Sequence, residues 1–124
     1  MIDMGKHQIN EAIEITTFKL ANGLTAKEFV AANVDINEWL KLQPGFQSRR
    51  IAELEDGSII DVLIWDSTID GTDAAERILA ETRGSPVHAA IDQPSVIWRI
   101  AEVRQTTTRE SAGSSAVLAP ERRN

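Results

Sequence analysis

The sequence contains no cysteine, and only two of its 124 residues are histidine. Disulfide bonds and metal sites built on cysteine are therefore excluded. The two histidines, His7 and His88, are far apart in the chain, and no His-rich metal-binding cluster is present. The absence of cysteine is compatible with a reducing compartment, so we expect a cytoplasmic protein.

Long apolar runs are missing as well. The first residues lack a stretch of signal-peptide length, and no later segment is long and apolar enough to span a membrane. The net charge of −6 argues against a nucleic-acid partner, because an acidic surface repels phosphate groups. No glycine-rich phosphate loop or nucleophile motif occurs, and the acidic residues fall on predicted solvent faces. We therefore expect no metal, no nucleic acid and no membrane contact.

The residues that are present predict one domain, built from two successive strand–helix–strand units. The domain covers residues 12–103, between a flexible lead-in at 1–11 and a disordered tail at 104–124. An alternative for the tail is docking on a partner subunit through Val117 and Leu118. The predicted strands cover 12–20, 46–54, 59–65 and 94–103. One predicted helix covers 26–42, and a second begins between Asp70 and Asp73 and ends at Gly84.

The start of the first helix carries the clearest local signal. Thr25 and Glu28 have the spacing of a capping box, in which each side chain accepts a hydrogen bond from a free backbone N–H. Leu24 and Phe29 flank this cap as a hydrophobic staple. The same spacing at Asp73 and Glu76 suggests a second capping box near the start of the second helix.

The order βαββαβ predicts a ferredoxin-like α+β fold, with a four-stranded antiparallel sheet and both helices on one of its faces. The third predicted strand is apolar on both faces, since Ile60, Val62 and Ile64 alternate with Ile59, Leu63 and Trp65. In the fourth strand, Trp98 and Arg99 point to opposite faces. Helices can cover only one face, so a second subunit should cover the other. We therefore expect a homodimer formed through the open sheet face.

The hairpin between the second and third strands gives a register. If Asp56 and Gly57 are the two turn residues, Arg50 lies opposite Leu63 and shares a sheet face with Asp61. In one interpretation, Arg50 holds an anionic ligand in an apolar pocket. In the other, Arg50 and Asp61 form a structural ion pair.

Several of these segments together resemble a known superfamily. A helix that ends in Gln43-Pro44-Gly45-Phe46, a hairpin, and Val62-Leu63-Ile64-Trp65-Asp66-Ser67 leading to a second helix resemble the dimeric α/β-barrel superfamily. Within it, they are most similar to antibiotic biosynthesis monooxygenase-like domains. The resemblance covers about residues 12–103. It implies a barrel shared by two subunits, with a pocket between the sheet and the helices of each subunit.

The resemblance also indicates pocket residues. Trp65 matches a tryptophan that lines the pocket of haem-degrading members, although it could equally be a core residue at a strand end. Those enzymes also need an asparagine on the first strand, where this chain has about Thr16, so haem degradation is disfavoured. Tyrosine, a pocket residue in some cofactor-free oxygenases of this superfamily, is absent from the chain.

These observations predict a cofactor-independent, monooxygenase-like enzyme that acts on a small apolar or aromatic molecule without a metal. Arg50, His88 and Asn33 are the candidate catalytic residues, each with a structural alternative in ion pairing or helix packing. The predicted substrate pocket is lined by Trp65, Leu63, Asp61, Phe46, Asn37 and Trp39. Two alternatives remain open: a non-catalytic ligand-binding or stress-response dimer of the same fold, and an isomerase or lyase.

Overall fold

The computed structural model describes residues 10–110, which form one antiparallel sheet with three helices packed on it. The elements are β1 (Ala12–Phe18), α1 (Ala26–Ala31), α2 (Val34–Lys41), β2 (Phe46–Glu53), β3 (Ile59–Trp65), α3 (Thr68–Glu81) and β4 (Ile97–Glu102). The strand order is β2-β3-β1-β4, and all neighbours are antiparallel. This is the predicted ferredoxin-like α+β fold. The predictions for the lead-in and the tail concern mostly residues outside the described range.

The first helix begins as predicted but is shorter. Both hydrogen bonds of the capping box between Thr25 and Glu28 are present. The prediction of one helix over 26–42 is wrong, because the chain breaks into α1 and α2 at Asn33. The side-chain amide of Asn33 donates to the carbonyl of Phe29 at 2.8 Å, while its own backbone N–H bonds to Val30. An asparagine side chain thus replaces the helical backbone bond and ends α1.

The second predicted helix, α3, begins earlier than the pattern of Asp73 and Glu76 indicated. Ser67 is its N-cap, and the Ser67 hydroxyl accepts the backbone N–H of Asp70 at 3.1 Å. Asp73 therefore lies inside the helix, and the predicted second capping box is wrong. At the far end, the helix stops at Glu81, before Gly84.

The predicted fourth strand is also shortened. A 3₁₀ turn over Gln93–Ser95 occupies its first part, and β4 begins only at Ile97. Pro94 lacks a backbone N–H and fits the start of such a turn better than a position in a strand ladder. A second 3₁₀ turn covers His88–Ala90.

The register between β2 and β3 differs by one residue from the predicted one. The hairpin loop contains three residues rather than two, since Glu53 pairs with Ile59 and Leu54 bonds to Ser58 across the loop. Gly57 adopts φ = 87°, the left-handed conformation that closes a three-residue hairpin. Arg49, not Arg50, is therefore opposite Leu63. The prediction that Arg50 shares a face with Asp61 is wrong.

A β-bulge at the start of β2 places Phe46 on the same face of the sheet as Trp65. Phe46 pairs with Trp65 while Ser48 pairs with Ile64, so Gln47 is an extra residue. The ring centroids of Phe46 and Trp65 lie 5.5 Å apart in an edge-to-face arrangement. Phe46 consequently lies on the helix side of the sheet, as predicted.

The two sheet faces are different environments. Ala12, Phe18, Ile59, Leu63 and Trp65 point toward the helices and form the buried core with Phe29, Ile36 and Leu40. The opposite face is open and apolar, with half-buried aliphatic side chains at its centre and Arg50 and Arg99 beside them. We call this second surface the open face; its aliphatic members are Ile13, Ile15, Ile60, Val62, Ile64 and Ile97. Within residues 10–110, no helix has the length and apolar character needed to cross a membrane.

Candidate functional site

A cavity of about 350 Å³ lies between the helix side of the sheet and the three helices. Its walls are mainly apolar, with a small number of polar side chains. The apolar lining includes Phe18, Phe29, Ile36, Leu40, Leu63, Ala74, Ile78, Val87 and Ile91, together with all three tryptophans of the chain, Trp39, Trp65 and Trp98. A largely apolar cavity with a few placed polar groups is the usual form of a small-molecule site.

A buried carboxylate is the principal polar group of this cavity. Glu14 projects from the centre of β1 toward the helices and is only 8% exposed. The indole N–H of Trp65 donates to its Oε1 at 2.7 Å, and the indole N–H of Trp98 donates to its Oε2 at 2.6 Å. Strands β3 and β4 flank β1 in the sheet, and each supplies one hydrogen-bond donor to Glu14.

Burial changes the acidity of this carboxyl group. Loss of hydration disfavours the anion and raises the pKa of Glu14 above its ordinary value of 4.5. The two indole hydrogen bonds act in the opposite direction and offset part of this effect, and the negative charge of Asp61 adds to the increase. A carboxyl group with a raised pKa is a stronger base, once ionised, than an exposed one.

Sequence reasoning missed Glu14. The signal was present, because strict alternation in β1 places Glu14 on the same face as Ala12 and Phe18, which are both buried. The expectation that acidic residues occupy solvent faces is wrong for Glu14, which is buried.

A second polar group lies beside Glu14 on the sheet. Arg49 forms a two-point ion pair with Asp61, through Nε at 3.0 Å and Nη2 at 2.7 Å. Both side chains are 11% exposed. Arg49 Nη1 also donates to Asn37 Oδ1 at 2.7 Å, which ties strand β2 to helix α2. The predicted choice between an anion holder and an ion pair thus applies to Arg49, whose charge is matched by Asp61.

Asn33 lies at the break between α1 and α2 and is fully buried. Its Nδ2 is used by Phe29, but its Oδ1 has no hydrogen-bond partner within residues 10–110. Asn33 is among the residues that line the cavity. A buried acceptor without a partner is uncommon in folded proteins and marks a position where a ligand group can bind.

His88 lines the cavity from the 3₁₀ turn that follows α3. Its Nε2 lies 2.9 Å from Thr82 Oγ1 and 3.1 Å from the Thr82 carbonyl oxygen. The Thr82 hydroxyl donates to Ile78, so both Thr82 atoms act as acceptors and Nε2 carries the proton. This nitrogen ties the turn to the end of α3.

Helices α2 and α3 contact each other through Trp39, a residue that lines the cavity. The indole N–H of Trp39 donates to Glu81 at 3.0 Å. The Arg77 guanidinium lies 5.6 Å from the centroid of the Trp39 ring and also bonds Glu81 and Gln43. These contacts hold Trp39 over the cavity.

The structure brings together most of the predicted site residues. Asn33, His88, Trp65, Leu63, Asp61 and Trp39 all line the cavity. Phe46 and Asn37 do not line it and instead contact Trp65 and Arg49, two residues that do. Arg50 pairs with Val62 and lies on the open face, so its predicted place in the pocket is wrong.

The chain is a ferredoxin-like α+β protein with a mainly apolar cavity between its sheet and its helices. No model of a known protein family and no curated protein matches the sequence. Solved structures do match. SnoaB from Streptomyces nogalater, a cofactor-independent oxygenase, is 16% identical with a TM-score of 0.61, over 78% of this chain and 96% of SnoaB.

Two further structures have the same fold. A protein from Nitrosomonas europaea, provisionally named an antibiotic biosynthesis monooxygenase, is 17% identical with a TM-score of 0.62, over 82% of this chain and 97% of its own. A dimeric ferredoxin-like protein from an uncultured marine organism is 14% identical with a TM-score of 0.61, over 86% and 99% of the two chains. The resemblance to antibiotic biosynthesis monooxygenase-like domains is thus confirmed at the level of the fold.

Proposed function

We propose that this protein is a cofactor-independent oxygenase that binds a small apolar or aromatic molecule in the cavity above Glu14. The observation that carries the proposal is the Glu14 carboxylate, which lies inside an apolar cavity and has a raised pKa. The fold shared with SnoaB, a cofactor-independent oxygenase, is consistent with this chemistry. Fold alone does not establish an activity, whereas the chemistry of the site residues can support one.

In this scheme Glu14 is the proton acceptor. It removes a proton from an acidic C–H or O–H group of the bound molecule, which leaves an electron-rich anion. That anion transfers electrons to dioxygen, so the substrate itself is the reductant. Overall, a CH₂ group loses two hydrogen atoms and becomes a carbonyl, one oxygen atom of O₂ enters the product, and the other leaves as water.

The remaining site residues have supporting roles in this proposal. Trp65 and Trp98 hold the carboxylate of Glu14 in place through their N–H groups. The ion pair of Arg49 and Asp61 forms a polar part of the cavity lining without adding net charge. Trp39, held by its hydrogen bond to Glu81, forms part of the apolar wall of the cavity. His88 and Asn33 offer polar contacts to the bound molecule.

A second candidate function is binding without catalysis. The observation that favours it is that both oxygens of Glu14 already accept an indole N–H. A carboxylate held in this way can act as a structural anchor for the two tryptophans. The cavity would then capture a ligand and leave it unchanged.

Oxygen uptake separates the two candidates. Hydroxylated aromatic molecules that bind the protein would be incubated with it in an oxygen electrode, beside the Glu14→Gln variant. A catalytic role predicts oxygen consumption that falls at least about 100-fold in the variant, the usual contribution of a general base. Equal, measurable rates in both proteins would overturn the role of Glu14 as the base, and binding without any oxygen consumption would leave only the binding function.

We also propose that the protein is a homodimer formed through the open face. Six aliphatic side chains occupy this surface, which no helix of the described chain covers. An apolar sheet face that no helix covers is typical of a subunit interface. The related marine protein of this fold is dimeric.

A further inference from the structure

The side-chain amide of Asn33 has a fixed orientation. Its Nδ2 donates to the Phe29 carbonyl at 2.8 Å. Rotation of the amide by half a turn would place Oδ1 against that carbonyl, and two acceptors would then face each other. The oxygen therefore remains the free end of the amide.

The amide oxygen lacks a partner where one is needed. Asn33 is fully buried, and Oδ1 receives no hydrogen bond from any residue between 10 and 110. Because Asn33 lines the cavity, a molecule bound there is the available source of a donor. Leaving such an acceptor without a partner is unfavourable, so a ligand that supplies the donor gains affinity.

The other polar groups of the cavity favour the same kind of ligand. The N–H groups of Trp65 and Trp98 are both used by Glu14. The charge of Arg49 is matched by Asp61. Within residues 10–110, no lysine or arginine forms an ion pair with the Glu14 carboxylate, so the cavity is rich in acceptors and repels an anion.

We propose that Asn33 Oδ1 is the polar anchor of the cavity, and that its ligand is a neutral molecule with a hydroxyl or amine donor on an apolar frame. This inference rests on the proposed function, because it assumes that the cavity binds a small molecule. It excludes carboxylates and phosphates as ligands of this site. Asn33 then has the ligand-recognition role that the sequence analysis suggested for Arg50.

Three probes of one shape test the inference by isothermal titration calorimetry. They are naphthol, its methyl ether, and naphthoate, measured at a pH well below the pKa of the phenol group. Naphthol carries a donor, the ether carries none, and naphthoate is an anion. We expect naphthol to bind at least about tenfold more tightly than either of the others, since a site built around a hydrogen bond rejects the analogue that lacks it.

Two variants identify the residue. Asn33→Leu removes Oδ1 and should bring the affinity for naphthol down to that for the ether. Gln47→Leu is the matched control, because Gln47 also uses its side-chain amide as a donor, to Asp66 at 2.8 Å, but does not line the cavity. It should preserve the preference for naphthol.

The possible outcomes are distinct. Equal binding of naphthol and the ether by the unmodified protein, or tighter binding of naphthoate, would overturn the role of Asn33 and leave the cavity as a ligand site. If none of the three binds, the proposed function fails together with this inference. The probe comparison in the unmodified protein gives a decision even if Asn33→Leu does not fold.

Discussion

Glu14 and Trp65 lie on adjacent strands and are joined by a 2.7 Å hydrogen bond inside the core. This bond links a buried carboxylate to Trp65, the largest fully buried side chain among residues 10–110. Trp65 was predicted from the sequence to line a pocket. The bond places it beside Glu14, which the sequence analysis did not predict as a site residue.

The first prediction concerns the titration of Glu14. Because its pKa in the folded protein is raised above 4.5, the folded state binds more protons than the unfolded state between pH 4.5 and that higher value. The free energy of unfolding contributed by this group therefore falls as the pH rises through that window. NMR of ¹³C-labelled glutamate should show one carboxyl titrating above the others, and this signal should be absent in Glu14→Gln. A spectrum in which all glutamates titrate near their ordinary values would contradict the prediction.

The second prediction concerns the ion pair. Arg49→Ala should lower the free energy of unfolding by about 3–5 kcal/mol, because it leaves Asp61 buried without its partner. Arg83→Ala, at an exposed arginine, should change it by less than about 0.5 kcal/mol. Urea denaturation of the three proteins measures both values. If the two variants had the same small effect, the pair would contribute little to stability.

The third prediction concerns the packing of α3 against Trp65. A Cβ atom added at Gly71 would lie 2.6 Å from Ile100 Cδ1 and 2.8 Å from Trp65 Cδ1. Gly71→Ala should therefore destabilise the protein by about 1 kcal/mol or more, since overpacking outweighs the gain of about 1 kcal/mol in helix propensity.

Gly84→Ala is the matched control for this change, because no atom lies within 4 Å of its added Cβ. It should leave the melting temperature unchanged or raise it slightly. Thermal melts followed by circular dichroism compare the two variants. A melting temperature for Gly71→Ala at or above that of the unmodified protein would show that Trp65 can move away without loss.

The fourth prediction concerns the open face. Val62 lies on the central strand β3 and pairs with Ile15 on that face. Val62→Lys should weaken self-association at least about tenfold, because it places a charge in an apolar interface. Leu42→Lys, at a side chain that is 82% exposed outside the sheet, should have no such effect. Sedimentation equilibrium should show a dimer for the control and a monomer for Val62→Lys; a monomeric unmodified protein would refute the proposed interface.

Much of the fold could be predicted from the sequence, because strand periodicity and helix capping are local signals. Alternation in β3 correctly assigned Ile60, Val62 and Ile64 to one face and Leu63 and Trp65 to the other. The capping box at Thr25 and Glu28 was also predicted correctly. Both patterns depend only on residues within a few positions of each other.

The site was harder to predict, because it depends on single-residue choices of backbone geometry. Asp56-Gly57 fits a two-residue and a three-residue hairpin loop, and the choice of the longer loop moved Arg49 into the place predicted for Arg50. The bulge at Gln47 left no signal in the sequence pattern. Asn33 ended a helix through its side chain, which periodicity of apolar residues does not detect.

The most direct test of the proposed ligand site is a titration followed by tryptophan fluorescence, because all three tryptophans line the cavity. A neutral hydroxylated aromatic molecule would be added to the unmodified protein and to Arg50→Ala, which changes only the opposite face of the sheet. We predict saturable quenching with one ligand per chain and the same affinity in both proteins. Quenching that rises linearly without saturation, or a loss of binding in Arg50→Ala, would contradict a ligand site between the sheet and the helices.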